Sequence, residues 1–112
     1  MDHREHHGNT PEIDVDELDE LLRNGSVRVL DVREDWEFRR RRVPGATSVP
    51  MSRLTAQVGT LLREKPYAVI CESGVRSLAA TEFLLSRGFE GTVSVRGGTS
   101  AWARAGRPTE KD

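Results

Sequence analysis

Residues 67–77, with the sequence YAVICESGVRS, decide the fold of this chain. The first four positions form a short apolar and β-branched run, which is typical of a buried strand. The run ends at Cys71, the only cysteine of the chain, and a short polar loop follows. Residues 77–86 then carry apolar side chains at helical spacing and stop at Gly88, which predicts a helix. Cys71 is therefore expected at the carboxyl end of a strand, where open α/β sheets place their ligands.

The loop after Cys71 is a candidate anion-binding cradle. Between a strand and a helix, such a loop turns successive backbone N–H groups and the positive end of the helix toward one point. The candidate loop consists of Glu72, Ser73, Gly74, Val75, Arg76 and Ser77. The Arg76 charge and the helix N-terminus would favour the thiolate form of Cys71 at neutral pH. Cys71 is accordingly predicted to be a nucleophile at the bottom of this cradle.

Strand and helix patterns alternate along the rest of the chain. The predicted strands are residues 11–13, 27–32, 46–49, 67–70 and 92–95. Besides the helix over 77–86, one helix is predicted after a capping box of Asp14 and Glu17, one over 51–62, and a short one after Gly97 and Gly98. This alternation implies parallel pairing through right-handed crossovers. We predict a single α/β domain with about five mainly parallel strands and helices on both faces of the sheet.

The length of 112 residues fits one folded domain. Residues 1–10 are polar and lack periodicity, so they are interpreted as a disordered lead-in. The domain is expected over residues 11–108, and residues 109–112 form a polar C-terminal tail. The chain shows neither a signal peptide nor an apolar run approaching the length of a membrane span. A soluble, cytoplasmic protein with no membrane partner is therefore expected.

Charge and histidine content limit the function classes. The formal net charge is -1, with 31% charged residues, so no basic excess indicates nucleic-acid binding. The only histidines are His3, His6 and His7, and no second cysteine completes a metal-ligand set with them. We expect neither a metal nor a cofactor. Because a Cys–His hydrolase needs an imidazole base beside its thiol, the position of these histidines in the lead-in argues against that class.

Five motifs, in their order along the chain, resemble the rhodanese family of single-domain sulfurtransferases. The active-site loop of that family is a cysteine, four variable residues that include a glycine, and an arginine; CESGVR at residues 71–76 has this length and composition. The other motifs are LDVRE at 30–34, WEF at 36–38, VPGA at 43–46, and RGGTSAW followed by AGRP within 96–108. The chain departs from the family at Arg41 and Arg42, where a glycine and a histidine are usual.

The resemblance implies transfer of a sulfane sulfur through a persulfide on Cys71. The donor would be a small anion such as thiosulfate, which then releases sulfite. The acceptor would be thiophilic: cyanide, a thiol or a partner protein. Since the chain has no second cysteine, the acceptor must come from outside. The resemblance thus implies a thiosulfate sulfurtransferase that needs no cofactor.

Asp31 and Arg33 are expected beside the Cys71 loop, because they lie at the carboxyl end of the neighbouring predicted strand. Asp31 is interpreted first as scaffold that caps backbone N–H groups or pairs with an arginine. The functional alternative is that Asp31 holds Arg76 or the loop amides and so fixes the cradle.

Four arginines and two aromatic residues lie between that strand and the next. The arginine run consists of Arg39, Arg40, Arg41 and Arg42. It is interpreted as a solvated turn, with the alternative that it attracts an anionic donor or an acidic partner protein. Trp36 and Phe38 are interpreted as packing residues, with an aromatic wall beside the site as the alternative.

Two other function classes stay open. A phosphatase of the related fold would use the same cradle for phosphate, but its loop carries five residues between the cysteine and the arginine. A non-catalytic sulfur-carrier or interaction module of rhodanese type would normally have lost the cysteine or the loop arginine, and both Cys71 and Arg76 are present.

Overall fold

A computed structural model of the chain describes residues 9–112. The interpretation of His3, His6 and His7, and nearly all of the expected lead-in, therefore fall outside the described residues. Within residues 9–112, no helix is both long and apolar enough to cross a membrane.

Five strands form one parallel sheet. They are β1 Glu12–Ile13, β2 Arg28–Asp31, β3 Thr47–Ser48, β4 Tyr67–Ile70 and β5 Val93–Val95. Their order in the sheet is β1-β5-β4-β2-β3, and each of these pairings is parallel. β4 is therefore central, and β1 occupies an edge, where the preceding Pro11 is tolerated. The predicted α/β architecture with five strands is confirmed.

Five α-helices connect or follow the strands. They are α1 Val15–Arg23, α2 Asp35–Arg40, α3 Met51–Gln57, α4 Arg76–Ser86 and α5 Gly98–Arg104. The predicted capping box begins α1: the Glu17 N–H donates to Asp14 Oδ1 at 2.8 Å, and the Asp14 N–H donates to Glu17 Oε1 at 3.0 Å. Two backbone donors at this helix start are thus satisfied by side chains of the helix's own first turn.

Two helices differ from the sequence prediction. α2 was not predicted, because its only apolar residues, Trp36 and Phe38, are two positions apart and give no helical stripe. Its start is held by the Glu34 N–H, which donates to Glu37 Oε1 at 2.9 Å. The helix predicted over 51–62 is shorter: α3 ends at Gln57, and a 3₁₀ turn, Val58–Thr60, follows it.

Helices cover both faces of the sheet, as predicted. Alternate side chains of each strand point to opposite faces, and two separate apolar clusters result. One cluster joins residues of β2 and β4 to α3 and α4, and it includes Leu54, Leu84 and Cys71. The other joins the sheet to α1 and α5 through Leu18 and Trp102. Because all four residues of β4 are buried, this strand fixes the position of Cys71, which packs in the first cluster.

The C-terminal residues fold back onto the end of α2. The N–H groups of Arg42 and Glu110 each donate to the carbonyl oxygen of the other at 2.9 Å. The Asp112 N–H donates to Arg39 O at 3.0 Å, and its carboxylate lies 2.8 Å from Arg42 Nη1. We name this contact the C-terminal clasp. Residues 109–112, interpreted from sequence as a polar tail, are therefore hydrogen-bonded to the domain.

The boundary expected at residue 10 also differs in detail. Thr10 is buried, and its hydroxyl donates to Glu82 Oε2 on α4. Since this threonine packs against a helix, the folded part of the chain includes at least one residue of the expected lead-in.

Candidate active site

The Cys71 sulfur accepts hydrogen bonds from two backbone N–H groups of its own loop. The N–H of Gly74 donates to Sγ at 3.1 Å, and the N–H of Ser77 donates to it at 3.3 Å. Gly74 adopts φ +97, a conformation that favours glycine. With only 1% of Cys71 exposed, these two amides replace water as the groups that stabilise negative charge on the sulfur.

The loop backbone is held from below by the start of α5. The Thr99 N–H donates to Cys71 O at 2.9 Å, and the Ser100 N–H donates to Glu72 O at 3.0 Å. Gly98 approaches so closely that a Cβ there would lie 2.3 Å from Cys71 O. The sequence assigned this glycine to a turn; the structure shows that its lack of a side chain also allows the Cys71 loop to approach.

Arg76 faces a partner that the sequence did not reveal. Its Nη1 and Nη2 donate to the two carboxylate oxygens of Glu37 on α2, each at 2.9 Å. The hydrogen bond from Arg76 lowers the pKa of Glu37. The same bond raises the pKa of Arg76, with smaller contributions from the charges of Cys71 and Glu72. Arg76 is thus positioned by a bidentate ion pair, and much of its charge is balanced by Glu37.

Asp31 does not hold Arg76 or the loop amides. Its carboxylate accepts from the Arg33 N–H at 3.0 Å and from Arg33 Nε and Nη2 at 3.0 and 2.8 Å. Arg33 is only 1% exposed, and its Nη1 donates to Glu72 Oε1 at 3.0 Å. Burial alone would lower the pKa of Arg33, but Asp31 and Glu72 raise it. Asp31 therefore acts on the loop only through Arg33.

Glu72 ties three elements together. Its carboxylate accepts from Arg33, from Arg41 Nη2 at 3.1 Å and from Ser100 Oγ at 2.7 Å. Burial tends to raise the pKa of Glu72, but the hydrogen bond from Ser100 and the charge of Arg33 outweigh it, so the pKa is lowered. The residue that follows Cys71 is therefore anchored as an anion, and this fixes one side of the cradle.

A cavity of about 380 Å³ lies beside the loop. Its lining is formed by Arg33, Trp36, Glu37, Arg40, Arg41 and Glu72. Trp36 is 56% exposed, so its interpretation as a packing residue is wrong and the alternative, an aromatic wall beside the site, holds. Phe38 is half-buried under the Arg42 guanidinium, 4.7 Å from the ring centroid. At the mouth of the loop, Ser73 and Val75 are exposed.

The four arginines do not form a solvated turn. They begin in the last turn of α2, and their side chains take different roles. Arg39 and Arg40 are exposed, and Arg40 lies over the Trp36 ring at 5.9 Å. Arg41 pairs with Glu72, and Arg42 belongs to the C-terminal clasp. Only the first two therefore present charge to solvent without an ion pair among residues 9–112.

Two buried hydroxyls complete the surroundings of the sulfur. The Cys71 thiol donates to Ser77 Oγ at 3.5 Å, and Ser94 Oγ on β5 donates to the same oxygen at 2.8 Å. The sequence indicated Ser77 through the loop. Glu37 lies in the WEF motif at 36–38, but that motif gave no indication of its contact with Arg76, and Ser94 belongs to none of the motifs. Among the described residues, no three His, Cys, Asp or Glu side chains are placed to hold a metal ion.

Comparison with known proteins agrees with this arrangement. The model of the rhodanese-like domain matches residues 14–105. A protein named sulfurtransferase from Allochromatium vinosum is 31% identical over 98 residues, which cover 87% of this chain and 92% of that protein. The thiosulfate sulfurtransferase GlpE of Shewanella oneidensis is 29% identical and is matched over 92% of its length and 83% of this chain.

A solved structure agrees as well. The crystal structure of a rhodanese-related protein from Thermoplasma volcanium superposes with a TM-score of 0.80 at 33% identity, covering 91% of this chain and 99% of that one. The family match over residues 14–105 contains strands β2 to β5, the Cys71 loop and all five helices. Only β1 lies outside it, directly before its first residue. The chain therefore belongs to the rhodanese-like domain family.

Proposed function

We propose that this protein is a rhodanese-type sulfurtransferase in which Cys71 carries the sulfur as a persulfide. The observation that carries the proposal is the sulfur's position, with two backbone N–H groups directed at Sγ and no histidine near it among residues 9–112. Such a site favours a thiolate without a general base. Sulfane-sulfur transfer needs such a thiolate and no proton acceptor.

The reaction has two displacements at sulfur. The Cys71 thiolate attacks the outer sulfur of thiosulfate, a sulfur–sulfur bond forms, and the donor's own sulfur–sulfur bond breaks with its electron pair leaving on sulfite. A thiolate or cyanide then attacks the outer sulfur of the persulfide, and Cys71 leaves as a thiolate. No external oxidant or reductant is consumed. In both steps the Gly74 and Ser77 amides stabilise charge on a cysteine sulfur, as donors in an oxyanion hole stabilise oxygen.

The charges around the cavity support an anionic donor. Arg40 and the half-exposed Arg41 lie on its wall, and positive walls raise the local concentration of anions. Thiosulfate is proposed because a relative at 29% identity carries that substrate in its name. The same surface suits an acidic protein acceptor. A reducing compartment such as the cytoplasm would keep Cys71 in the required thiol state.

The test is intact mass spectrometry after incubation with thiosulfate. The wild-type protein should gain one sulfur atom and release one sulfite, and cyanide should remove that sulfur as thiocyanate. Cys71→Ser should gain none and lose turnover, because a hydroxyl forms no persulfide. As a matched control, Ser52→Ala changes an exposed serine of α3, outside the loop, and should load normally. Thiocyanate production by Cys71→Ser near the wild-type rate would overturn the proposal.

The same preparation separates the two alternatives. A carrier module would load one sulfur but show no repeated turnover with cyanide. A phosphatase would hydrolyse aryl phosphates, which we do not expect. Arg76 Nη1 and Nη2 already donate to the Glu37 carboxylate. They are therefore not free for the bidentate contact that a phosphate would need. Phosphatase turnover comparable with sulfur transfer would contradict this reading of Arg76.

A further inference from the structure

Ser94 connects the centre of the sheet to the Cys71 sulfur. Its hydroxyl donates to Ser77 Oγ at 2.8 Å, and the Cys71 thiol donates to the same oxygen at 3.5 Å. Both serine side chains are fully buried. Ser94 has no hydrogen bond to the sulfur itself in the described structure, so any effect it has on the sulfur must pass through Ser77.

The direction of each proton follows from the number of donors and acceptors. A hydroxyl has one proton and two acceptor sites. In the described part of the chain, Ser77 Oγ is the single hydrogen-bond partner of Ser94 Oγ, and a buried donor without an acceptor is strongly unfavourable. Ser94 therefore donates to Ser77. Because the Cys71 thiol also donates to Ser77 Oγ, the Ser77 proton has no acceptor among the hydrogen bonds of the described residues, and Sγ is the neighbour that could accept it once the thiol has lost its own proton.

This chain of hydroxyls is complete only when the sulfur accepts. The neutral thiol, which donates to Ser77 Oγ in this structure, leaves the Ser77 proton without an acceptor. A thiolate accepts that proton's hydrogen bond, in addition to those of the two loop amides. We propose that Ser94 is a positioning residue that directs the Ser77 hydroxyl at Cys71 Sγ and thereby favours the anionic sulfur.

The sheet holds Ser94 in a fixed place. Its N–H donates to Pro11 O at 2.9 Å, and its residue pairs with Val69 on β4. β5 is therefore fixed between β1 and β4, and the hydroxyl needs no rearrangement when charge develops on the sulfur. Preorganised donors of this kind stabilise charge more effectively than mobile ones.

Replacement of Ser94 leaves the surrounding charges in place. Those on the elements packed around Cys71 are Arg76 and Glu72 of its loop, Glu37 of α2, Asp31 at the end of β2 with its partner Arg33, and the exposed Arg96 after β5. None of these hydrogen-bonds to Ser94 in the described structure. A change in sulfur reactivity on removal of the Ser94 hydroxyl would therefore report the hydroxyl chain.

The test is the rate of Cys71 alkylation by iodoacetamide as a function of pH, followed by intact mass of the full chain. Ser94→Ala should slow alkylation at neutral pH by about two- to tenfold and move the midpoint of the profile to higher pH. Ser94→Thr keeps the hydroxyl and should restore the wild-type profile. Thr92→Val is the matched control: Thr92 is equally buried, and its Oγ1 has no hydrogen-bond partner among residues 9–112.

A double-mutant cycle shows whether the effect passes through Ser77. Ser94→Ala added to Ser77→Ala should produce no further slowing, whereas independent effects would add. If Ser94→Ala fails to fold, Ser94→Thr and Ser94→Val give the same comparison, since they have nearly the same shape and differ in the hydroxyl. A Ser94→Ala profile identical to wild type, or an additive loss in the cycle, would overturn the inference.

The inference rests on the proposed role of Cys71 as a nucleophile, but its test uses no sulfur donor. Alkylation reports the thiolate directly. If Ser94→Ala slows alkylation as expected but the wild-type protein takes no sulfur from thiosulfate, the hydroxyl chain is supported and only the proposed function is overturned.

Discussion

The ion pair between Glu37 and Arg76 can be tested by Glu37→Gln, which removes the charge and keeps the shape. Hydrogen bonds to charged groups contribute about 1.5–3 kcal/mol each. Glu37 is 12% exposed, but Arg76 is 38% exposed, so water recovers part of the loss, and the glutamine carbonyl still accepts one bond. We expect a net destabilisation of about 1–2 kcal/mol. In a chain of 112 residues, this lowers Tm by roughly 4–8 °C.

The effect should depend on pH in one direction. Because Arg76 lowers the pKa of Glu37 in the folded protein, the pair contributes its full stability above the unfolded-state pKa of about 4.5. That contribution is lost as the pH falls through the lower pKa of the folded state. The Tm difference between wild type and Glu37→Gln should therefore be larger at about pH 7 than at about pH 4.

Differential scanning calorimetry at both pH values measures these differences. Glu64→Gln is the matched control, because Glu64 is 57% exposed and lies 3.5 Å from Arg28; its loss should change stability by less than about 0.5 kcal/mol. A Tm change for Glu37→Gln no larger than that of the control would refute the reasoning. A Tm difference between wild type and Glu37→Gln that is larger at the lower pH would refute the predicted direction of the pH dependence.

Gly98→Ala should lower Tm by well over 4 °C and impair sulfur loading, because its Cβ would lie 2.3 Å from a loop carbonyl oxygen. Gly106→Ala, at a similar positive φ but with open space, should cost only about 1–2 kcal/mol; equal losses in a thermal melt would contradict the close approach. Replacing Arg39 and Arg40 by glutamine should raise the KM for thiosulfate at low salt more than at high salt, and steady-state kinetics with the same ratio at both would show that they attract no donor. Glu72→Gln should destabilise the protein by about 1–3 kcal/mol in urea unfolding, since three donors lose a charged acceptor; an unchanged midpoint would show that the network is dispensable.

The sheet and its helices could be predicted because their signals are local. Short apolar runs between turn residues marked the strands. Helical spacing of apolar residues, the Asp14 capping box and the glycines at 97 and 98 marked four of the five helices. Cys71 could be placed because a strand followed by a loop and a helix has one geometry. α2 could not be predicted, since six residues with Trp36 and Phe38 two apart carry no helical period.

The contacts around the loop could not be predicted for a different reason. Glu37 and Arg76 are 39 positions apart, and the carboxylate that meets a given arginine is decided by how α2 packs against the loop. Arg33 is a second case, because arginine is rarely buried unless paired. Its first partner, Asp31, is two positions away, but its second partner, Glu72, is 39 positions away and reaches it only in the folded sheet. The family resemblance identified the loop and its candidate nucleophile. The residues that orient the loop, Glu37 and Arg33, could be identified only from the tertiary structure.

The C-terminal clasp has a practical consequence for handling the protein. Glu110 and Asp112 bond to Arg39 and Arg42, and these arginines lie at the end of the short helix that carries Glu37. A purification tag or fluorescent fusion joined directly after residue 112 would crowd the hydrogen bonds of Asp112 and would thereby disturb this helix and the contact between Glu37 and Arg76. A long, flexible glycine-rich spacer would keep the fused domain away from the C-terminal clasp and leave its hydrogen bonds in place.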